Sequence, residues 1–205
     1  MRLLLALVFS TYFCTCWAGE ILIATVAQVK NHVITSREVQ IHFLLNKTLG
    51  TNQDFFEDVN PVEQLIREWL LFFEANSFYN NPVPAAEVQA KIQKISEPLE
   101  KNKDWQQLSV GPEELKEMMR RRLEAERLYL FKKKASVLPV SPADVESEYT
   151  QNRIRYGNMS FEEVKDKIRH KKIQENLEAR LSQWFLVLEK KYKVQRFAKF
   201  NGNKD

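Results

Sequence analysis

Beyond residue 18 the sequence has no cysteine, because Cys14 and Cys16 both fall in the first eighteen residues. Without that segment the chain has no thiol for a disulfide, a thiolate metal site or a cysteine nucleophile. Glycine is scarce, five in 205 residues, which argues against long flexible loops. Only three histidines occur, His32, His42 and His170, each isolated among turn or helix neighbours. HExxH, GxSxG, phosphate-loop and CxxC patterns are all missing. Nor does one sign of charge dominate: of 31 basic residues only Arg2 lies in the leader, leaving 30 against 27 acidic ones, a net of +3. That balance does not suggest nucleic acid. The clusters Arg120, Arg121, Arg122 and Lys132, Lys133, Lys134 read as solvated helix faces, the first followed by acids and the second near a helix C-terminus that favours cations.

Residues 1–18 read as a secretory signal peptide. Arg2 gives a positive start, residues 3–13 are an apolar run too short to span a bilayer, and Cys16, Trp17 and Ala18 offer a small-residue cleavage site before Gly19. About 185 residues remain, and with 44% apolar composition overall they are enough for a real core. Residues 20–35 are rich in β-branched side chains around a turn at Lys30 and Asn31, which predicts a short β-hairpin. A strand over 194–197 is placed to pair with it and bring the chain ends together.

Helix starts are marked with regularity. Thr35 with Glu38 makes a capping box, and Pro61, Pro112 and Pro142 each sit at a first helical position, with an acid following within two residues. Helices are expected over 36–49, 61–79, 85–101, 112–135, 142–153 and 160–192. In the helix over 61–79, Val62, Leu65, Ile66, Trp69, Leu70 and Phe73 form a stripe, while Leu71, Phe72, Phe78 and Tyr79 put apolar surface on the other faces. It is therefore either central or sticky. Leu115, Met118, Met119, Leu123 and Leu130 give the next long helix its face.

The last helix opens on a capping box of Ser160 and Glu163 and carries apolar residues from Phe161 to Tyr192 at spacings of three and four, with one slip around His170. This stripe is expected to dock onto the N-terminal helices. The fold class is thus mainly α, with a small hairpin and a C-terminal strand, in one module over 19–205. Its helical N-terminal lobe covers about 19–140 and its C-terminal segment about 141–205. Phe72, Phe73, Phe78, Tyr79, Trp105, Met118, Met119, Tyr129, Trp184 and Phe185 are candidates for an adaptable apolar groove, since methionine repacks easily and aromatic faces accept varied partners.

The order of these elements is what the chain shares with a known family. The leader, VAQVKNHVITSREVQ, EQLIREWLLFFEA, then Trp105-Gln106-Gln107-Leu108 before GPEELKEMMRRRLEAERLYLFKKKA, and VSPADVESEY resemble the N-terminal chaperone domain of the SurA family of periplasmic survival proteins. The closing SFEEVKDKIRHKKIQENLEARLSQWFLVLEKKYKV resembles that family's C-terminal segment. In the family, parvulin prolyl isomerase domains follow the helix corresponding to residues 141–152. Here only residues 153–159 intervene, so isomerase activity is not expected.

The resemblance implies an ATP-independent periplasmic holdase, without metal or cofactor. It would bind unfolded or extended segments of exported and outer-membrane proteins, with no nucleic-acid partner and no stable membrane insertion. The alternative is a non-catalytic adaptor or structural subunit of an envelope complex that uses the same fold for one partner or for a homodimer. The exposed face of the helix over 61–79 is the feature expected to separate the two.

Overall fold

The computed structural model describes residues 23–50, 60–78 and 82–197. The expected signal peptide over residues 1–18, Tyr79 and the side chain of Phe78 lie outside what is described. The chain runs β1 (Thr25–Val29), β2 (His32–Thr35), α1 (Ser36–Leu49), α2 (Pro61–Phe78), α3 (Ala85–Glu100), α4 (Lys103–Gln107), α5 (Pro112–Ser136), α6 (Pro142–Gln151), a 3-10 turn (Arg153–Tyr156), α7 (Phe161–Lys191) and β3 (Gln195–Arg196). It is mainly helical, with one small antiparallel sheet of order β2-β1-β3.

Local chemistry accounts for most of these boundaries. The hairpin turns at Lys30, which takes a left-handed φ of 57°, and pairs Val29 with His32 and Gln28 with Val33. Thr35 caps α1 by accepting the Glu38 amide at 3.2 Å, and Gly50 ends the helix at φ 61°, where a side chain would be strained. Pro112 and Pro142 open α5 and α6. The capping box of Ser160 and Glu163 opens α7. One helix is additional to those read from sequence: α4, five residues held by the Asn102 side chain, which accepts the Asp104 and Trp105 amides at 2.9 and 3.1 Å.

Three apolar cores organise the packing. The first joins the sheet, α2, the C-terminal half of α5 and the C-terminal half of α7, through Val26, Val29, Leu65, Ile66, Leu70, Leu71, Leu128, Leu181 and Leu188. The helix α2 is thus central rather than an exposed sticky face. Each of its fully buried aliphatic side chains contributes about 1.5–3 kcal/mol of burial. The second core lies between α1, α3, α4 and the N-terminal half of α5. The third is a satellite of Val145, Tyr156, Val164 and Ile168.

The satellite corrects the expectation for α7. Its stripe does not dock as a unit: Leu177, Leu181, Phe185, Leu188 and Tyr192 enter the first core, whereas Val164 and Ile168 pack on α6 and the 3-10 turn. The slip around His170 is where the helix changes partners. The hairpin and the segment after α7 do meet. The Lys30 amide donates to the Tyr192 carbonyl at 2.6 Å, and the Phe197 amide donates to Val26 at 3.0 Å. Arg196 spans the join, donating to Glu63 on α2 at 2.7 and 2.8 Å and to Glu189 on α7 at 3.0 Å.

Candidate functional site

The ten aromatic and methionine candidates are divided by the fold. Met118 and Met119 are buried in the second core, because the α5 face that carries them is turned to α1 and α3. Tyr129 and Phe185 are buried in the first core. Burial spends these four side chains on the fold and takes them out of a surface groove. Phe72 and Phe73 are half-buried on α2, where their rings meet each other at 5.9 Å and Trp69 at 5.6 and 5.3 Å. Lys30 lies over Phe73 and Arg120 over Phe72. Trp184 is half-buried on α7, beside the C-terminal end of α5. Leu130, read from sequence as part of the α5 core face, points to solvent.

Trp105 is buried and borders a groove of about 340 Å³ between α3, α4 and the first turn of α5. Ile92, Leu99, Val110 and Leu115 line it with apolar surface; Gln89, Ser96, Glu100, Glu113 and Lys116 form the polar margin. Sequence order hides this groove, since its walls come from three helices and the connection at Gly111. Arg37 braces one side: its guanidinium donates to the Leu108 carbonyl at 2.8 and 3.1 Å and to Glu114 at 2.5 and 3.0 Å. The bidentate pair with Arg37 holds the Glu114 carboxyl below its ordinary range. Arg37 thus pins the connection between α4 and α5 beside the groove's apolar residues, which offer contact to an apolar side chain.

A second feature was not anticipated from sequence. Arg121 and Arg122, read there as part of a solvated face, are buried, as are Glu38, His42 and Glu68. Arg121 donates from Nε to Glu68 Oε1 at 2.7 Å and lies 3.3 Å from Glu38 Oε1. Trp69 Nε1 donates to the same Glu38 oxygen at 2.9 Å, and His32 Nε2 is 2.9 Å from Glu38 Oε2. The Trp69 ring is also stacked by His32, centroids 3.7 Å apart, and covered by the Arg121 guanidinium at 4.2 Å.

His42 is not isolated either. Its Nε2 lies 3.0 Å from the Asn46 amide nitrogen, which also donates to Gln64 at 2.9 Å. That assigns Nε2 as an acceptor and puts the proton on Nδ1, which faces Glu68 Oε2 at 3.4 Å. Arg122 donates to the carbonyl oxygen of Asn46. Burial works to raise the Glu68 pKa, but Arg121, His42 and Arg122 overcome it and hold the carboxyl down at about 2. The cavity among these groups is about 10 Å³, the room of a single water. This is a clamp joining α1, α2 and α5, too closed to admit a substrate. The one signal in the sequence was Glu38 and His42 four apart on α1.

Among the described residues no three His, Cys, Asp or Glu side chains gather in a way that could hold a metal ion, and no helix is long and apolar enough to cross a membrane. No family model, no curated protein and no solved structure matches the chain.

Proposed function

We propose that the chain is an exported, ATP-independent holdase that retains unfolded envelope and outer-membrane protein segments in the periplasm, with no prolyl isomerase step. The observation that carries this reading is the groove between α3, α4 and α5. Its lining sets the apolar side chains of Ile92, Leu99, Trp105, Val110 and Leu115 beside the polar ones of Gln89, Ser96, Glu100, Glu113 and Lys116. Such a surface binds by apolar burial, which is passive and tolerant of sequence. A cradle that must release its cargo without a nucleotide needs modest affinity and fast dissociation, and a groove of this size engages only one or two side chains at a time. The resemblance to the SurA family, the apolar run over residues 3–13 and the pairing of β3 with β1 support the same reading.

The test is suppression of aggregation. Purified protein added to an unfolded outer-membrane protein on dilution from urea should lower light scattering at low molar ratio. Ile92→Glu, at a half-buried position that lines the groove and packs on the second core, should raise the concentration needed for half suppression about tenfold at a temperature where circular dichroism shows the variant folded. Equal protection by the variant, or no protection by either protein, would remove the holdase reading.

A further inference from the structure

A second cleft, of about 330 Å³, lies between the C-terminal end of α5 and the middle of α7, lined by Lys132, Ser136, Ala179, Arg180, Gln183 and Trp184. Its composition differs from that of the first. In the α3/α5 groove Lys116 is offset by Glu113 at 3.3 Å and Glu100 adds an acid. The α5/α7 cleft holds two cations and no carboxylate. The Lys132 ammonium lies 5.3 Å from the centre of the Trp184 ring, and neither Lys132 nor Arg180 pairs with a carboxylate among the described residues. Ser136 is only 4% exposed, yet it lines the cleft and its hydroxyl has no hydrogen-bond partner among the described residues. One turn beyond Trp184 the same side of α7 continues with Val187, 60% exposed, and Val137 follows Ser136 into solvent.

We propose that this cleft binds acidic, apolar polypeptide: a segment in which a carboxylate stands next to an aromatic or aliphatic side chain. The side chain lies against the Trp184 indole and Val187. The carboxylate is held by Arg180, whose planar fork suits bidentate contact, and by Lys132. Ser136 and Gln183 are placed for main-chain amides. Two apposed helices with hydrogen-bonding groups between them fit an extended chain better than a lipid surface, which meets protruding apolar side chains on a convex face. The inference deepens the holdase reading, and rests on it in taking the occupant to be a client segment. The α3/α5 groove then takes neutral apolar stretches and the α5/α7 cleft takes acidic ones.

The probe is a short fluorescent peptide with glutamates flanking a phenylalanine, beside a twin with glutamines in their place. Anisotropy is read at low and high salt with the purified protein, with K132E/R180E and with Arg180→Gln. The acidic peptide should bind about tenfold tighter than its twin, with the advantage falling at high salt. K132E/R180E should abolish that preference. Arg180→Gln, at an exposed position, should lose about threefold of it without a change in the melt. Equal binding of the twins, or an acidic preference that survives charge reversal, would overturn the inference while aggregation suppression tests the holdase reading separately. An acidic preference lost on charge reversal in a protein that suppresses no aggregation would keep the cleft and remove the holdase. Binding to anionic vesicles that depends on Lys132 and Arg180, with no peptide binding, would replace polypeptide by lipid.

Discussion

Glu68 is ionised inside the helix layer because Arg121, His42 and Arg122 surround it, and a charge in that position is costly as soon as one partner is lost. Its carboxyl titrates at 4.5 when unperturbed and at about 2 in the fold. A depressed carboxylate contributes stability that is complete above the unfolded value and is lost as pH falls through the folded one. Urea unfolding should therefore show wild-type stability declining between about pH 4.5 and 2. Glu68→Gln, which leaves Arg121 with Glu38 alone, should cost about 3–5 kcal/mol at neutral pH and flatten that acid limb. An acid limb identical in both proteins would remove the clamp from the stability account. None of this clamp was legible as a cluster in the sequence. Arg121 and Glu68 stand 53 positions apart, and a basic run beside acids is more often a solvated face than the lid of a buried acid. His42 was equally opaque, since only the fold brings Asn46 and Glu68 to its two ring nitrogens.

At the level of the helix, α7 serves two masters. Its C-terminal half is nailed to α2 by Tyr192, whose hydroxyl donates to Glu74 at 2.7 Å, and by Lys191, which donates to the same oxygen at 2.6 Å. Its N-terminal half packs on α6 and the 3-10 turn. Phe185→Ala should cost about 3–5 kcal/mol in a denaturant melt, whereas Trp184→Ala, at the margin of the core, should cost about 1 kcal/mol. Hydrogen exchange should find α6 and residues 161–170 opening at lower free energy than residues 177–191, since four buried side chains hold the satellite together. Uniform protection along α7 would contradict the division. Helix starts were largely readable because their causes are local: prolines at first turns, the Thr35 and Glu38 box, and the Ser160 and Glu163 box. The change of partner in α7 was visible only as a slip in spacing, and nothing in that slip named α6 as the alternative. A five-residue helix such as α4 is too short to generate a period.

Over the whole molecule, the hairpin, the closing strand and the helical class follow from β-branched and apolar periodicity, and the structure has all three. The groove and the cleft do not follow, because surface concavities depend on how far apart helices settle, which no single helix encodes. Of the ten aromatic and methionine residues picked out by type, Trp105, Met118, Met119, Tyr129 and Phe185 are buried, and only Trp105 also borders a groove. Residue type alone gives the same reading to a core wedge and a binding surface. Removing residues 160–205 strips β3 and the α7 side chains from the first core, and the remaining fragment should bind a hydrophobic dye and melt without cooperativity. A cooperative, monomeric fragment would show that α1 to α5 fold without them.

The sheet also carries a consequence for timing. β1 sits between β2, which follows at once, and β3, which follows only after α7. Gln195 can reach Gln28 only after α1 to α7 have been made, so that edge of β1 waits for its partner until then. Nascent chains stalled ahead of Gln195 should remain open to proteases that the finished protein resists.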